Sequence, residues 1–233
     1  MTNPDQARQL KLPFPSREPT LPYILGDANR SAIAVLDQWW ERFLDGAQPG
    51  PPVILLKGPK GAGKSTLLSR FMEARSGLVI GPDAEGHLTV PRTPAPLGID
   101  NAHCVRAEGL FSIFNECVAE RRALILSGAG RPISWGTAFG DDLPDLKSRL
   151  SGVAIASLEA PDSAMLADAL GGGLSVLGYE GEGDEVAWAA EQLCRRFSAV
   201  ETILADIATC GGKPTALKVL LQAAMRDNPA QVL

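Results

Sequence analysis

The run Gly58-Pro59-Lys60-Gly61-Ala62-Gly63-Lys64-Ser65 constrains this chain more than any other feature. It satisfies G-x-x-x-x-G-K-[ST], with the all-apolar stretch Val53-Ile54-Leu55-Leu56 before it and an amphipathic stretch carrying Leu67, Leu68 and Phe71 after it. A strand, a glycine-rich turn and a helix in that order form a phosphate-binding P-loop. The glycines let backbone N–H groups curl around phosphate oxygens, and the helix N-terminus adds its partial positive charge. Lys64 is placed to reach the β- and γ-phosphates and Ser65 to offer its hydroxyl to Mg²⁺, with Thr66 next on the helix; Lys60 is an exposed loop position. The pattern predicts ADP or ATP with Mg²⁺ bound by Gly58, Pro59, Lys60, Gly61, Ala62, Gly63, Lys64, Ser65 and Thr66.

The rest of the chain alternates in the same style. Ile33, Leu36, Trp40 and Phe43 recur at helical spacing, then Gly46 to Pro52 breaks the pattern. Short strands are expected at Leu78–Ile80, Leu88–Val90, Leu97–Asp100, Ala123–Ser127 and Val153–Leu158, with helices around Leu110–Val118 and Asp142–Leu150. Strands alternating with helices predict an α/β fold built on a parallel sheet. After Pro161 the pattern is helical: Ser163–Leu170, Asp184–Phe197, Ser198–Thr209 and Pro214–Met225, with Gly171–Gly173 and Gly178–Asp184 read as loops. Five prolines and no periodicity make the first two dozen residues an extended arm. The expected organisation is an arm over 1–25, a nucleotide-binding α/β domain over 26–160 and a small helical lid over 161–233.

Composition narrows the function. Hydrophobic residues at 45% and charged residues at 21% suit a globular chain, and the net charge of −5, without a Lys/Arg cluster, argues against direct DNA binding. Cys104, Cys117, Cys194 and Cys210 lie far apart with only His87 and His103 to join them, which disfavours a metal cluster and suits a reducing compartment. No signal peptide or membrane-length apolar run is evident, so a cytoplasmic location is expected.

Asp100 ends a strand some forty residues beyond the P-loop, where a carboxylate would hold the Mg²⁺ shell. Its other reading is a helix N-cap. Asn101 follows it, and an amide cannot take a proton from an attacking water, which predicts weak hydrolysis or none in cis. Ser127 is placed to sense the γ-phosphate, or is a turn serine. Arg149 lies on a short amphipathic helix and either reaches a neighbour's nucleotide or pairs with Asp145 one turn earlier.

The P-loop, the Ile99-Asp100-Asn101 run and the box Asp145-Leu146-Lys147-Ser148-Arg149-Leu150, in that order, resemble the AAA+ ATPase domain of DnaA-type replication initiators. The closest likeness is to the short regulatory relatives of the Hda type. The resemblance spans about Gly26 to the C-terminus and implies a P-loop AAA+ sheet followed by a helical lid, with Arg149 as an arginine finger acting in trans. Gln9-Leu10-Lys11-Leu12-Pro13-Phe14 is similar to the Q-x-x-L-x-F peptide that docks on the DNA polymerase III sliding clamp. Leu12 and Phe14 would fill an apolar pocket, Gln9 would bond at its rim and Pro13 would pre-extend the peptide, with Leu10 between them; the same side chains could instead pack back on the domain. Two departures stand out. The chain stops after the lid, without the helix-turn-helix domain of a full initiator, and Ser198 stands at the lid's sensor-arginine position, with Arg195 or Arg196 as substitutes. The resemblance implies a negative regulator of replication initiation that holds nucleotide and stimulates ATP hydrolysis by the initiator DnaA. A P-loop kinase or ATPase acting alone, and an adaptor recruiting a replication factor, are the competing readings.

Overall fold

The computed structural model describes residues 23–135, 140, 143–179, 183–209 and 217–233. The arm residues Gln9, Leu10, Leu12, Pro13 and Phe14, and the expected helix starts at Asp142 and Pro214, lie outside them.

Helix α1 (Asp27–Leu44) begins where the Asn29 side chain satisfies free backbone groups: its Oδ1 accepts from the Gly26 N–H at 3.0 Å and its Nδ2 donates to the Ile24 carbonyl at 2.7 Å. Strand β1 (Val53–Lys57) runs into the P-loop, which opens α2 (Lys64–Glu73). Then come β2 (Leu78–Ile80), β3 (Leu97–Ile99), α3 (Ala107–Ala119), β4 (Leu124–Gly128), α4 (Pro144–Ser151) and β5 (Ala154–Ser157). All five strands are parallel, in the order β2-β3-β4-β1-β5.

Period-two alternation sorts the sheet's side chains onto two cores. Val53 and Leu55 of β1, with Leu97, Ile99, Leu124 and Leu126, face α3 and α4. Ile54 and Leu56, with Ile125 and Ala156, face α1 and α2. Helices cover both faces, which is why the strands read as uninterrupted apolar runs. A third cluster belongs to α5 (Ser163–Val176), α6 (Gly183–Gln192), α7 (Phe197–Thr209) and α8 (Leu217–Asp227). Among the described residues no helix is long and apolar enough to cross a membrane.

Three expectations are corrected. Leu88–Val90 forms no strand: the Asp83 carboxylate, accepting from the Glu85 and His87 N–H groups, folds the preceding segment into a turn, and Pro91 follows. Leu88 and Val90 still pack on the α3-side core. Gly171–Gly173 is not a loop but part of α5, because a Cβ on Gly173 would lie 2.1 Å from Leu204 Cδ1 and only glycine lets α7 approach so closely. The helix expected to reach Phe197 ends at Gln192, since Leu193 leaves it to pair antiparallel with Val232.

Candidate functional site

The P-loop turns on two glycines in the left-handed region, Gly61 at φ +77° and Gly63 at φ +87°. That geometry aims the loop's N–H groups inward and starts α2 with its N-terminus facing the same point. Lys64 is 8% exposed, and its ammonium donates to the carbonyls of Gly58 at 3.0 Å and Pro59 at 2.8 Å, so the loop wraps its own cation. Burial pulls the Lys64 ammonium below the ordinary lysine value, and the Asp100 carboxylate partly opposes that shift. Ser65 and Thr66 stand exposed on the first turn of α2.

The sheet brings the other residues to the same end. Asp100 follows β3, with Oδ2 accepting from Asn101 Nδ2 at 3.4 Å and Oδ1 buried without a protein partner. It is not a helix cap: the cap position of the 3₁₀ turn Ala102–Cys104 belongs to Asn101, held at φ +52°. Ser127 is not a turn serine either. It lies within β4 beside Leu56 of β1, fully buried, with its Oγ unpartnered. Asp100 lies within electrostatic reach of the buried Lys64 ammonium. Its orphaned oxygen and that of Ser127 are groups that an exogenous polar ligand would satisfy, and a carboxylate and a serine hydroxyl are hard-oxygen donors suited to a Mg²⁺-nucleotide.

The lid closes over this end. The Phe197 N–H, at the start of α7, donates to the Gly61 carbonyl at 2.8 Å. A Cβ on Gly61 would fall 2.5 Å from Arg196 Cβ and 3.1 Å from Ser198 Oγ. The segment carrying the expected sensor therefore does face the P-loop: Arg196 meets it through Cβ while its Nη2 donates to the Ala230 carbonyl at 2.5 Å, Arg195 is exposed, and the Ser198 hydroxyl also lies against the loop.

Arg149 is nowhere near this constellation. It sits in the last turn of α4, before β5, and β5 enters the sheet at the level of Ile54, whereas the P-loop leaves β1 beyond Lys57. The separation along the strands is about 13 Å. Its guanidinium lies 5.3 Å from the Phe111 ring centroid and 5.8 Å from that of Phe114, rather than on Asp145. An open cleft of about 600 Å³ beside it is lined by Arg121, Phe43, Phe114 and Val118 among others, with no carboxylate among the described residues.

Sequence reasoning missed His103. Its Nδ1 accepts from the Ala129 N–H at 3.3 Å, just past β4, and it lies within electrostatic reach of Lys64 and Asp100. Its only signal in the sequence is its place three residues after Asp100.

No family model matches the sequence, and no curated protein matches it significantly. Solved structures do match. Domain III of the Thermotoga maritima replication initiation protein DnaA aligns with a TM-score of 0.63 at 15% identity, covering 88% of this chain and 94% of that one. The Thermotoga maritima RuvB Holliday junction branch migration motor aligns with a TM-score of 0.60 at 15% identity, over 87% of this chain and 70% of its own. A replication initiator DnaA bound to AMPPCP and single-stranded DNA gives 0.59 at 17% identity, over 89% and 67%. The fold is that of the AAA+ ATPases, as in DnaA domain III.

Proposed function

We propose that this chain is a nucleotide-holding AAA+ regulator of replication initiation. It takes ADP or ATP with Mg²⁺ in the P-loop, docks on the DNA polymerase III sliding clamp through Gln9, Leu10, Leu12, Pro13 and Phe14, and offers Arg149 to the initiator DnaA, whose ATP hydrolysis it stimulates. It works in the cytoplasm, with 26–160 as the nucleotide-binding body and 161–233 as the lid.

The position of Arg149 carries this reading. Arg149 is exposed and lies toward the far end of the sheet from its own P-loop, which supports a role away from its own nucleotide and on one held by a partner pressed against that end. A guanidinium delivered there stabilises charge on a transferring phosphoryl group. The home site favours holding over hydrolysis. Lys64 would exchange the Gly58 and Pro59 carbonyls for phosphate oxygens, Asp100 Oδ1 and Ser65 would hold the Mg²⁺ shell, and Ser127 would donate to the γ-phosphate. When bound, Mg²⁺ neutralises phosphate charge. Asn101 supplies no base to activate a water.

The test follows phosphate release from ATP-bound DnaA in the presence of DNA-loaded clamp. The full chain should stimulate release, Arg149→Ala should lose stimulation while keeping clamp binding, and an arm-deleted chain should lose clamp binding. Undiminished stimulation by Arg149→Ala refutes the assignment.

A further inference from the structure

His103 stands in the 3₁₀ turn that follows β3, and the left-handed backbone of Asn101 bends the chain from Asp100 into that turn. One ring nitrogen is committed: Nδ1 accepts the Ala129 N–H, so in the neutral ring the proton resides on Nε2. Burial and the nearby Lys64 ammonium hold the imidazole neutral, against the smaller opposing pull of Asp100. The result is a neutral N–H donor with a defined tautomer, within electrostatic reach of the buried Lys64 and of Asp100, whose Oδ1 is orphaned. The hydrogen bond to Ala129 ties the ring to the end of β4, the strand that carries Ser127.

We propose that His103 is a positioning and specificity residue for the terminal phosphate, its Nε2–H donating to a γ-phosphate oxygen so that the site distinguishes a nucleoside triphosphate from a diphosphate. This rests on the reading of the P-loop as a nucleotide site. Loop N–H groups and Lys64 would hold the β-phosphate, which triphosphates and diphosphates share. A donor beyond Asp100 on the β3–β4 side would reach only the longer ligand. Ser127, two residues before Ala129 in the chain, would act with it.

Calorimetric titration of the full chain with Mg²⁺-AMPPCP and with Mg²⁺-ADP tests this. A hydrogen bond to a charged phosphate oxygen corresponds to roughly tenfold or more in affinity. His103→Ala should lose about that factor for AMPPCP while ADP affinity stays within about twofold, and His103→Gln, which restores an N–H donor, should recover most of the loss. Equal weakening for both nucleotides, or none for either, overturns the proposal, as does a His103→Gln variant no better than His103→Ala. Failure of the unaltered protein to bind either nucleotide overturns the nucleotide reading itself.

Discussion

The backbone N–H of Phe197 donates to the carbonyl of Gly61, so the first residue of the lid's third helix rests directly on the phosphate-binding loop. The Phe197 ring also lies 3.4 Å from where a Cβ on Gly63 would project. The loop that must curl around phosphate and the segment carrying Arg196 and Ser198 therefore share a contact surface, and any adjustment of one is felt by the other.

Gly61→Ala should separate this contact from ordinary glycine effects. The new methyl would meet Arg196 Cβ at 2.5 Å with φ at +77°, combining backbone strain with a clash against the lid. Gly46→Ala is the control, since φ there is +67° but nothing lies within 4 Å. Backbone strain alone costs about 1 kcal/mol, and the clash adds about 1–3 kcal/mol. Thermal denaturation should show Gly61→Ala melting well below Gly46→Ala; equal midpoints would remove the lid contact from the account.

Gly173→Ala should destabilise the helical unit by about 1–3 kcal/mol, because its Cβ would fall 2.1 Å from Leu204 Cδ1. Leu204→Ala alone opens a cavity in a fully buried position and costs about 2–5 kcal/mol. In the double variant the added methyl enters space the leucine has vacated, so the two losses should not add. Urea denaturation of the four proteins reads the coupling, and strict additivity would show that the two residues do not meet.

The ease with which each element was read follows from whether its determinants are local. The P-loop was legible because strand, glycine turn, lysine and helix adjoin in sequence, and the alternating faces of β1 and β4 wrote the two-sided sheet into uninterrupted apolar runs. The Gly171–Gly173 run misled because glycine signals a loop locally, while its reason here is Leu204 on another helix. Leu88–Val90 alternates like a strand yet has no neighbour to pair with, so its apolar residues pack as coil. His103 and the Phe197–Gly61 bond were invisible because each joins segments far apart in the chain.

His103 should also make stability depend on pH. Burial and Lys64 hold its folded value below the ordinary histidine value, so the unfolded chain binds the proton more readily. Stability is therefore fully present above the unfolded value, near 6.5, and falls as pH drops through it. Denaturant midpoints measured between about pH 7.5 and 5.5 should decline for the unaltered chain, and the decline should flatten in His103→Gln. An unchanged slope in that variant would assign the effect to other groups.

The nucleotide end of the sheet is joined to the helix of Arg149 through Ala129. Ala129 bonds in both directions: its N–H donates to His103, and its carbonyl accepts from Trp135 Nε1 at 2.7 Å. Trp135 is 1% exposed and packs in one cluster with Leu146 and Leu150, the buried face of the helix that carries Arg149. Gly128 makes room for that ring, since a Cβ there would lie 2.6 Å from Trp135 Cζ2. Trp135→Phe keeps an aromatic ring but deletes the N–H, costing about 1–2 kcal/mol of stability. If the chain His103–Ala129–Trp135 sets the pose of the arginine helix, Trp135→Phe should leave the chain's own nucleotide affinity unchanged while lowering its stimulation of partner hydrolysis by about two- to thirtyfold. Gly128→Ala should do the same by displacing the ring. Phosphate release measured beside nucleotide titration decides it: full stimulation by a folded Trp135→Phe would show that Arg149 is positioned without reference to the P-loop end of the sheet.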